Sequence, residues 1–266
     1  MAWFVASNPG PLTLDGSRSY AVGSDELIIV DPGPAIIGQM EQLERLVGNR
    51  PVAVICLTHA HADHAGIAEL AAQRFGAPVA ASGETLTRRG LAGRSLEDGD
   101  QVGPSDAPWR LVALRTPGHS SDHTAYLLEP GRAVFTGDLV LGTGSSAILH
   151  PDGEVGACLE SFRHVLSLDP GRLYPGHGQP IDDGEARLRE YANHRLERHR
   201  QVERALEAGA GSVAEVRRSV YGDLDVDLVR AADASVRAHL AYIVSQGREL
   251  PPVAGLDDPG HPIEVE

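Results

Sequence analysis

The apolar positions of this 266-residue chain fall into two periods. Residues 27–30 (Leu-Ile-Ile-Val) and 52–57 (Val-Ala-Val-Ile-Cys-Leu) are short, β-branched runs, the pattern of buried strands. Between them Ile36, Ile37, Met40, Leu43, Leu46 and Val47 recur at helical spacing, so residues 36–47 read as a helix with one apolar face. Residues 67–73 read as a helix and 79–81 as a strand. Residues 85–103 are turn-rich and charged and read as surface loop and short helix. Residues 109–115 alternate and read as a strand. Residues 124–128 and 133–136 read as a strand pair turning at Pro130-Gly131, and 172–174 as one more strand. Leu159, Phe162, Val165 and Leu166 give residues 155–168 the buried face of a helix. Past residue 185 the texture changes. Residues 185–208 form a long charged helix with Arg and Glu at i, i+3 and i+4. Gly209-Ala210-Gly211 stops it, Ser212 suits the cap of a short helix, and residues 225–245 give another long one. The expected organisation is an α/β domain over residues 1–184, a helical unit over 185–248 and a Pro- and acid-rich tail over 249–266. The last dozen residues are expected to be disordered.

The chemistry gathers where the strand at 52–57 ends. The stretch Thr58-His59-Ala60-His61-Ala62-Asp63-His64 packs three imidazoles and a carboxylate into six positions. Strand ends are where open sheets carry their functional groups. In an extended turn His59 and His61 point the same way, because side-chain direction repeats every second residue. Asp63 and His64, entering a helix, swing toward a neighbouring point. One motif can thus feed two adjacent metal ions, with ligand types that suit zinc. Four further signals place a ligand-type residue in or beside a Gly-containing turn after a strand. They are Val30-Asp31-Pro32-Gly33, Thr116-Pro117-Gly118-His119, Thr136-Gly137-Asp138 and Tyr174-Pro175-Gly176-His177-Gly178.

Taken in order, these motifs resemble those of the metallo-β-lactamase superfamily over roughly residues 8–177. The resemblance implies a four-layer αββα sandwich. It also implies a first metal on His59, His61 and His119, a second on Asp63, His64 and His177, and Asp138 bridging both. The expected cofactors are two divalent ions, Zn2+ by preference. Such a pair would hold a water and lower its pKa toward roughly 7, giving a hydroxide nucleophile. Asp63 is the expected catalytic group, orienting that hydroxide and accepting its proton. Asp31 and Thr58 read as groups that fix the ligand loop, or as plain turn formers. His123 reads as a substrate contact or a ring bonded to a carbonyl.

Five further segments together resemble the beta-lactamase-like protein 2 family across nearly the whole chain. They are Asn8-Pro9-Gly10, residues 12–16, residues 138–142, residues 174–178 and His194-Arg195. That resemblance implies a winged-helix-like C-terminal appendage and cleavage of single-stranded RNA. The chain departs from the family at Ser17-Arg18-Ser19-Tyr20, where Arg18 reads as a contact to an anionic substrate or as a surface residue. The runner-up substrate is a small acyl compound, a thioester or lactone of glyoxalase II type. A third reading is a mononuclear-iron persulfide dioxygenase, against which all positions for a second metal are filled. A non-enzymatic nucleic-acid regulator and true β-lactam hydrolysis are weaker alternatives.

Composition narrows the classes. All 23 basic residues are arginine, which removes a lysine nucleophile, and the net charge of −14 opposes broad attraction to nucleic acid. No Gly-x-Ser-x-Gly elbow is present. No run of 18 apolar residues could span a membrane. The start lacks a basic, long-apolar leader, so a cytoplasmic protein is expected. Cys56 and Cys158 are expected as buried, reduced thiols. The oligomeric state is not legible.

Overall fold

The computed structural model describes residues 1–104 and 106–256. The expected disorder of the final dozen residues therefore falls almost wholly outside the described residues, and His261 with it. Two sheets stack face to face. The first runs in spatial order β1 (Ala2–Val5), β2 (Arg18–Val22), β3 (Leu27–Val30), β4 (Val52–Cys56), β5 (Val79–Ala81), β6 (Gly93–Ser95). Its first three strands are antiparallel and its last four, from β3, are parallel. The second runs β11 (Leu173–Pro175), β10 (Ala133–Gly137), β9 (Thr124–Glu129), β8 (Arg110–Arg115), β7 (Gln101–Val102). Only its β10–β11 pair is parallel.

The two-residue period of the strands builds the layers. Ile28, Val30, Val54 and Cys56 face Leu111, Ala113, Tyr126 and Phe135 across the space between the sheets. Their neighbours Leu27, Ile29, Ile55 and Leu57 face outward, against α1 (Gln39–Val47) and α3 (Ala68–Phe75). On the far side, Val112, Leu114, Ala125 and Val134 pack under α5 (Val155–Ser167). Two short helices complete the sandwich, α2 (Ala62–Ala65) and α4 (Gly83–Arg89). Runs that are apolar at every position are thus buried on both faces. Cys56 and Cys158 are both free and buried.

Three differences from the sequence expectation have local causes. The helix read from residue 36 starts at Gln39, because Gly38 adopts a left-handed conformation (φ 83°) that leaves Ile37 outside it and exposed. The helix predicted over residues 67–73 is present as α3, but Gly66 and Ile67 break it from the short α2 that carries Asp63 and His64. Residues 85–103, read as loop and short helix, hold edge strands β6 and β7 besides α4. Gly93–Ser95 is exposed throughout, so no alternation marks it.

Three C-terminal helices follow: α6 (Gly184–Glu207), α7 (Val213–Tyr221) and α8 (Val226–Ser245). Leu188 and Tyr191 in the first turns of α6 belong to the sandwich core with α5. Val202 and Ala205 near its end pack instead with Val213, Val216, Val236, Leu240 and Ile243. One helix therefore serves both packing units. The sole β pairing after residue 184 among the described residues is the bridge of Ser212 with Ala254. No helix among the described residues is long and apolar enough to cross a membrane.

Candidate metal centre

The chain leaves β4 at Cys56 and turns at Thr58 so that His59 and His61 precede α2, which carries Asp63 and His64. His119 follows β8, Asp138 follows β10 and His177 follows β11. All seven meet at one end of the sandwich, the first four from one sheet and the last three from the other.

The far side of each ring fixes which nitrogen faces inward. Nδ1 of His119 lies 2.9 Å from the carbonyl of Ala147, and Nδ1 of His177 lies 3.2 Å from that of Gly16. A carbonyl only accepts, so both rings carry their proton on Nδ1 and turn Nε2 inward. Nδ1 of His64 lies 2.9 Å from Asp31 Oδ2. Thr58 Oγ1 donates to that same oxygen at 2.7 Å, which leaves it to accept from His59 Nδ1 at 3.0 Å. Asp31 Oδ1 takes the backbone N–H of Thr58 at 2.8 Å. One carboxylate thereby orients two rings and the loop between them, the arrangement that tunes metal-binding histidines in general.

The inward atoms crowd together. His59 Nε2 and His119 Nε2 lie 2.9 and 3.1 Å from His61 Nδ1. His64 Nε2 and His177 Nε2 are 3.2 Å apart, with Asp63 Oδ2 3.3 and 3.1 Å away. Asp138 stands between, Oδ1 3.4 Å from both His64 and His177 and Oδ2 3.7 Å from His119. Three sets of donors each fall within 4.8 Å: His59, His61 and His119; Asp63, His64 and His177; His59, His64 and Asp138. Zinc bonds of about 2.1 Å place tetrahedral donors roughly 3.4 Å apart, so this spacing fits the ion.

Two further observations test the fit. Asp63 Oδ1 and Asp138 Oδ1 are buried and have no hydrogen-bond partner, a costly state unless a cation satisfies them. A single proton on His61 Nδ1 could satisfy only one of the two imidazole nitrogens facing it. The charge balance agrees. Burial, then neighbouring rings, hold His59 well below the usual histidine range and His61 at about 4, so both are neutral ligands. For His64 and His177 burial also acts downward, but the carboxylates beside them outweigh it, raising His64 well above and His177 to about 9. Asp63 and Asp138 are held down despite burial by these same rings. Protons at Nε2 here stand where a divalent cation would sit.

Close backbone approach completes the pocket. A Cβ on Gly176 would lie 2.5 Å from His64 Cε1 and 2.6 Å from Asp138 Oδ1. Sequence reasoning passed over Ser17, whose hydroxyl donates to Asp63 Oδ2 at 3.0 Å and whose own N–H is held by Asn8. It also passed over Asp122, which accepts from Ala60 N and Thr85 Oγ1 and so ties the ligand loop to α4. Both are ordinary polar residues in the chain, and the only signal was their place beside a flagged segment.

Arg18 corrects an expectation. It does not lie on the surface. It is buried and forks onto Asp15 at 3.0 and 2.9 Å, and Asp15 also accepts from Gly178 N, locking β2 to the His177 loop. His123 bonds no carbonyl through its ring: Nδ1 meets Thr116 Oγ1 at 2.9 Å, and Nε2 accepts from Asp138 N at 3.2 Å. It is fully buried and steadies the Asp138 loop. The Cys56 and Cys158 thiols are both pushed up by burial, Cys158 to about 11, which leaves no thiolate nucleophile.

His194 and Arg195 line a cavity of about 310 Å³ that opens on His119 and Asp138. Its walls are mainly aliphatic, from Leu12, Leu14, Leu141 and Leu149 on the sandwich, Leu224 just before α8 and Leu228 in its first turn. The α7–α8 unit is thus part of the site.

A family model described as the metallo-beta-lactamase superfamily matches residues 12–177. An atrochrysone carboxyl ACP thioesterase of Aspergillus chevalieri is 33% identical, covering 86% of this chain and 75% of its own length. A beta-lactamase-like protein 2 homolog of Caenorhabditis elegans is 29% identical, covering 91% of this chain and 83% of its own. A metallo-beta-lactamase family protein from Thermus thermophilus superposes with a TM-score of 0.76 at 24% identity, covering 92% of this chain and 94% of that one. With the family's motifs matched over most of the sandwich and its donor atoms assembled at one sheet end, the chain belongs to the metallo-beta-lactamase superfamily and is a metal-dependent hydrolase.

Proposed function

We propose that the chain hydrolyses thioesters or activated esters of apolar acyl groups at a dinuclear site. His59, His61 and His119 would hold one divalent ion, Asp63, His64 and His177 the other, with Asp138 shared between them. The all-nitrogen-and-oxygen donor set suits zinc. When bound, such cations polarise a carbonyl and make water acidic enough to attack at neutral pH. Asp63, whose Oδ1 is buried without a partner, accepts a proton from the attacking water and returns it to the leaving thiolate or alkoxide. Ser17 holds the other oxygen of that carboxylate in place.

The observation that carries the substrate reading is the aliphatic cavity beside His119 and Asp138. Enclosed apolar pockets with a few convergent polar groups suit small ligands. Single-stranded RNA asks instead for a basic track with stacking aromatics. Four of the six arginines of α6 are taken up by glutamates, Arg187, Arg189, Arg200 and Arg204 pairing with Glu190, Glu185 and Glu197, which breaks any continuous track. The presence of Asp63, His64 and His177 as a second donor set also speaks against one iron.

The test is a panel of a medium-chain acyl thioester, a lactone, a phosphodiester ester and a labelled single-stranded RNA, run with defined metals and a His61→Ala control. The expected result is metal-dependent thioester turnover with about two zinc ions per chain. Cleavage of the RNA with no acyl turnover overturns the proposal, and so does one iron per chain.

A further inference from the structure

The cavity carries a second feature that aliphatic acyl binding does not use. Arg195, Arg198 and His194 line it from α6. Arg195 is 3% exposed, and its one hydrogen bond among the described residues runs from Nη2 to the Ser146 carbonyl at 2.8 Å. Its Nε has no partner, and neither has the buried hydroxyl of Ser146, which lines the same cavity. Arg198 is held at the rim, donating to Val220 O and stacked on the Tyr221 ring at 4.3 Å. Among the described residues no carboxylate pairs with either arginine, whereas four other arginines of this helix each hold a glutamate. Burial lowers the His194 pKa, and the charges of Arg195 and Arg198 lower it further.

A buried guanidinium with no counter-charge is strongly disfavoured unless something supplies the charge. The arrangement is also at odds with a protein of net charge −14, whose overall field repels anions. A local, partly desolvated pair of arginines inside an apolar cavity is the device that recognises an anion there.

We propose that this wall of the cavity takes an anionic group of the substrate, with Arg195 as the specificity-determining residue and Arg198 and Ser146 in support. The group is a carboxylate on the acyl part or a phosphate on the thiol part. This inference rests on the acyl-thioester reading above.

Two comparisons read it without turnover. Binding of adipamate against hexanamide, and of 4′-phosphopantetheine against pantetheine, is measured by calorimetry on the metal-loaded protein. At least one anionic partner is expected to bind roughly tenfold tighter than its neutral twin. Arg195→Gln should collapse that ratio to below about threefold, and Arg195→Lys should keep part of it. In turnover, the matching ratios are adipoyl over hexanoyl for N-acetylcysteamine thioesters, and 4′-phosphopantetheine over pantetheine for the hexanoyl ester. The first ratio reports the carboxylate source and the second the phosphate source. Equal binding within each pair by the wild-type protein overturns the proposal, as does an unchanged ratio in a folded Arg195→Gln protein. Should that variant not fold, Arg198→Gln and the wild-type binding ratios decide. Thioester turnover without anion preference removes only this inference. Absence of any acyl turnover removes the hydrolase substrate reading, and the binding pairs still judge the arginine wall.

Discussion

Asp31 gives the sharpest test of how the centre is held. It offers no atom to either donor set, yet it takes Thr58 N and Thr58 Oγ1 and holds His64 by Nδ1. It sits at φ 51°, in the left-handed region that asparagine tolerates well, so Asp31→Asn leaves the backbone without new strain. The substituted amide keeps one acceptor oxygen, which Thr58 N can hold. Its other end becomes an NH2 donor set against the Nδ1–H of His64. A charge-assisted hydrogen bond worth about 1.5–3 kcal/mol is replaced by two opposed donors. His64 must turn or change tautomer, and Nε2 leaves its place beside His177. Losing a partner of this kind lowers metal affinity by roughly 10–100-fold, or about 1.4–2.8 kcal/mol. The measurement is competition of the stripped protein with a chromophoric zinc chelator, alongside metal analysis of the loaded form. The expected result is a weakened second donor set, with the first, which Asp31 reaches only through Thr58 and His59, weakened less. Affinity of a folded Asp31→Asn protein within twofold of wild type would falsify the claim that Asp31 fixes His64 for metal binding.

Two further outcomes follow from the same geometry. Asp63→Asn removes the group that takes the water proton while keeping one oxygen for the Ser17 hydroxyl; kcat should fall by roughly 10²–10⁴-fold, and a change under threefold refutes the role. Arg88→Ala frees Asp152, which Arg88 and Ser121 hold beside the His119 loop. Burial alone raises the Asp152 carboxyl, but the Arg88 and Ser121 hydrogen bonds outweigh it and hold it down at about 2. A depressed carboxyl stabilises the fold above its unfolded pKa of about 3.9 and loses that contribution as pH falls through about 2. The variant should therefore be less stable by about 1 kcal/mol or less at pH 7, given the partial exposure of the pair. The gap should close near pH 2; a gap independent of pH points to another cause.

How much of this was legible in the sequence varies by element. Strands such as Leu27–Val30 and Val52–Cys56 were visible because sheets buried on both faces need every position apolar. His59, His61, Asp63 and His64 were visible because they crowd into six positions at a strand end, and His119, Asp138 and His177 because each sits in or beside a glycine-bearing turn, where the chain must bend sharply and ligands can project. Glycines at such turns also leave room, as Gly176 does beneath His64 and Asp138. The edge strand at Gly93–Ser95 was hidden by its full exposure. Arg18 was misjudged because a lone arginine looks the same in the chain whether it meets solvent or a carboxylate three residues away. Ser17 and Asp122 gave no signal, since their roles exist only after the sheets bring residues 46 and 62 positions apart together. The cavity was invisible for the same reason: its walls come from residues 11–14, 141–149, α6 and α8, which no local pattern links.

That long-range assembly makes metal binding a stability question as well as a chemical one. His59, His61, Asp63 and His64 hang from the first sheet; His119, Asp138 and His177 hang from the second. A cation held by both groups ties the sheets at the end where their strands stop, and the donors do not converge in an unfolded chain. Its binding energy is then folding energy. At a free concentration a thousand times Kd, one such site adds about 4.1 kcal/mol. For a domain somewhat under this size each kcal/mol moves Tm by about 2–4 °C, so stripping even one ion should lower Tm by roughly 10 °C. The assay is differential scanning calorimetry of loaded, chelator-dialysed and reloaded protein, with metal content measured on each. Without cations Asp63 Oδ1 and Asp138 Oδ1 are left buried with no hydrogen-bond partner, and the sheet ends should also become the first region to exchange amide protons. A stripped protein, shown free of metal yet melting within about 2 °C of the loaded one, means that the seven side chains reach their places without help and that the cations tie nothing together.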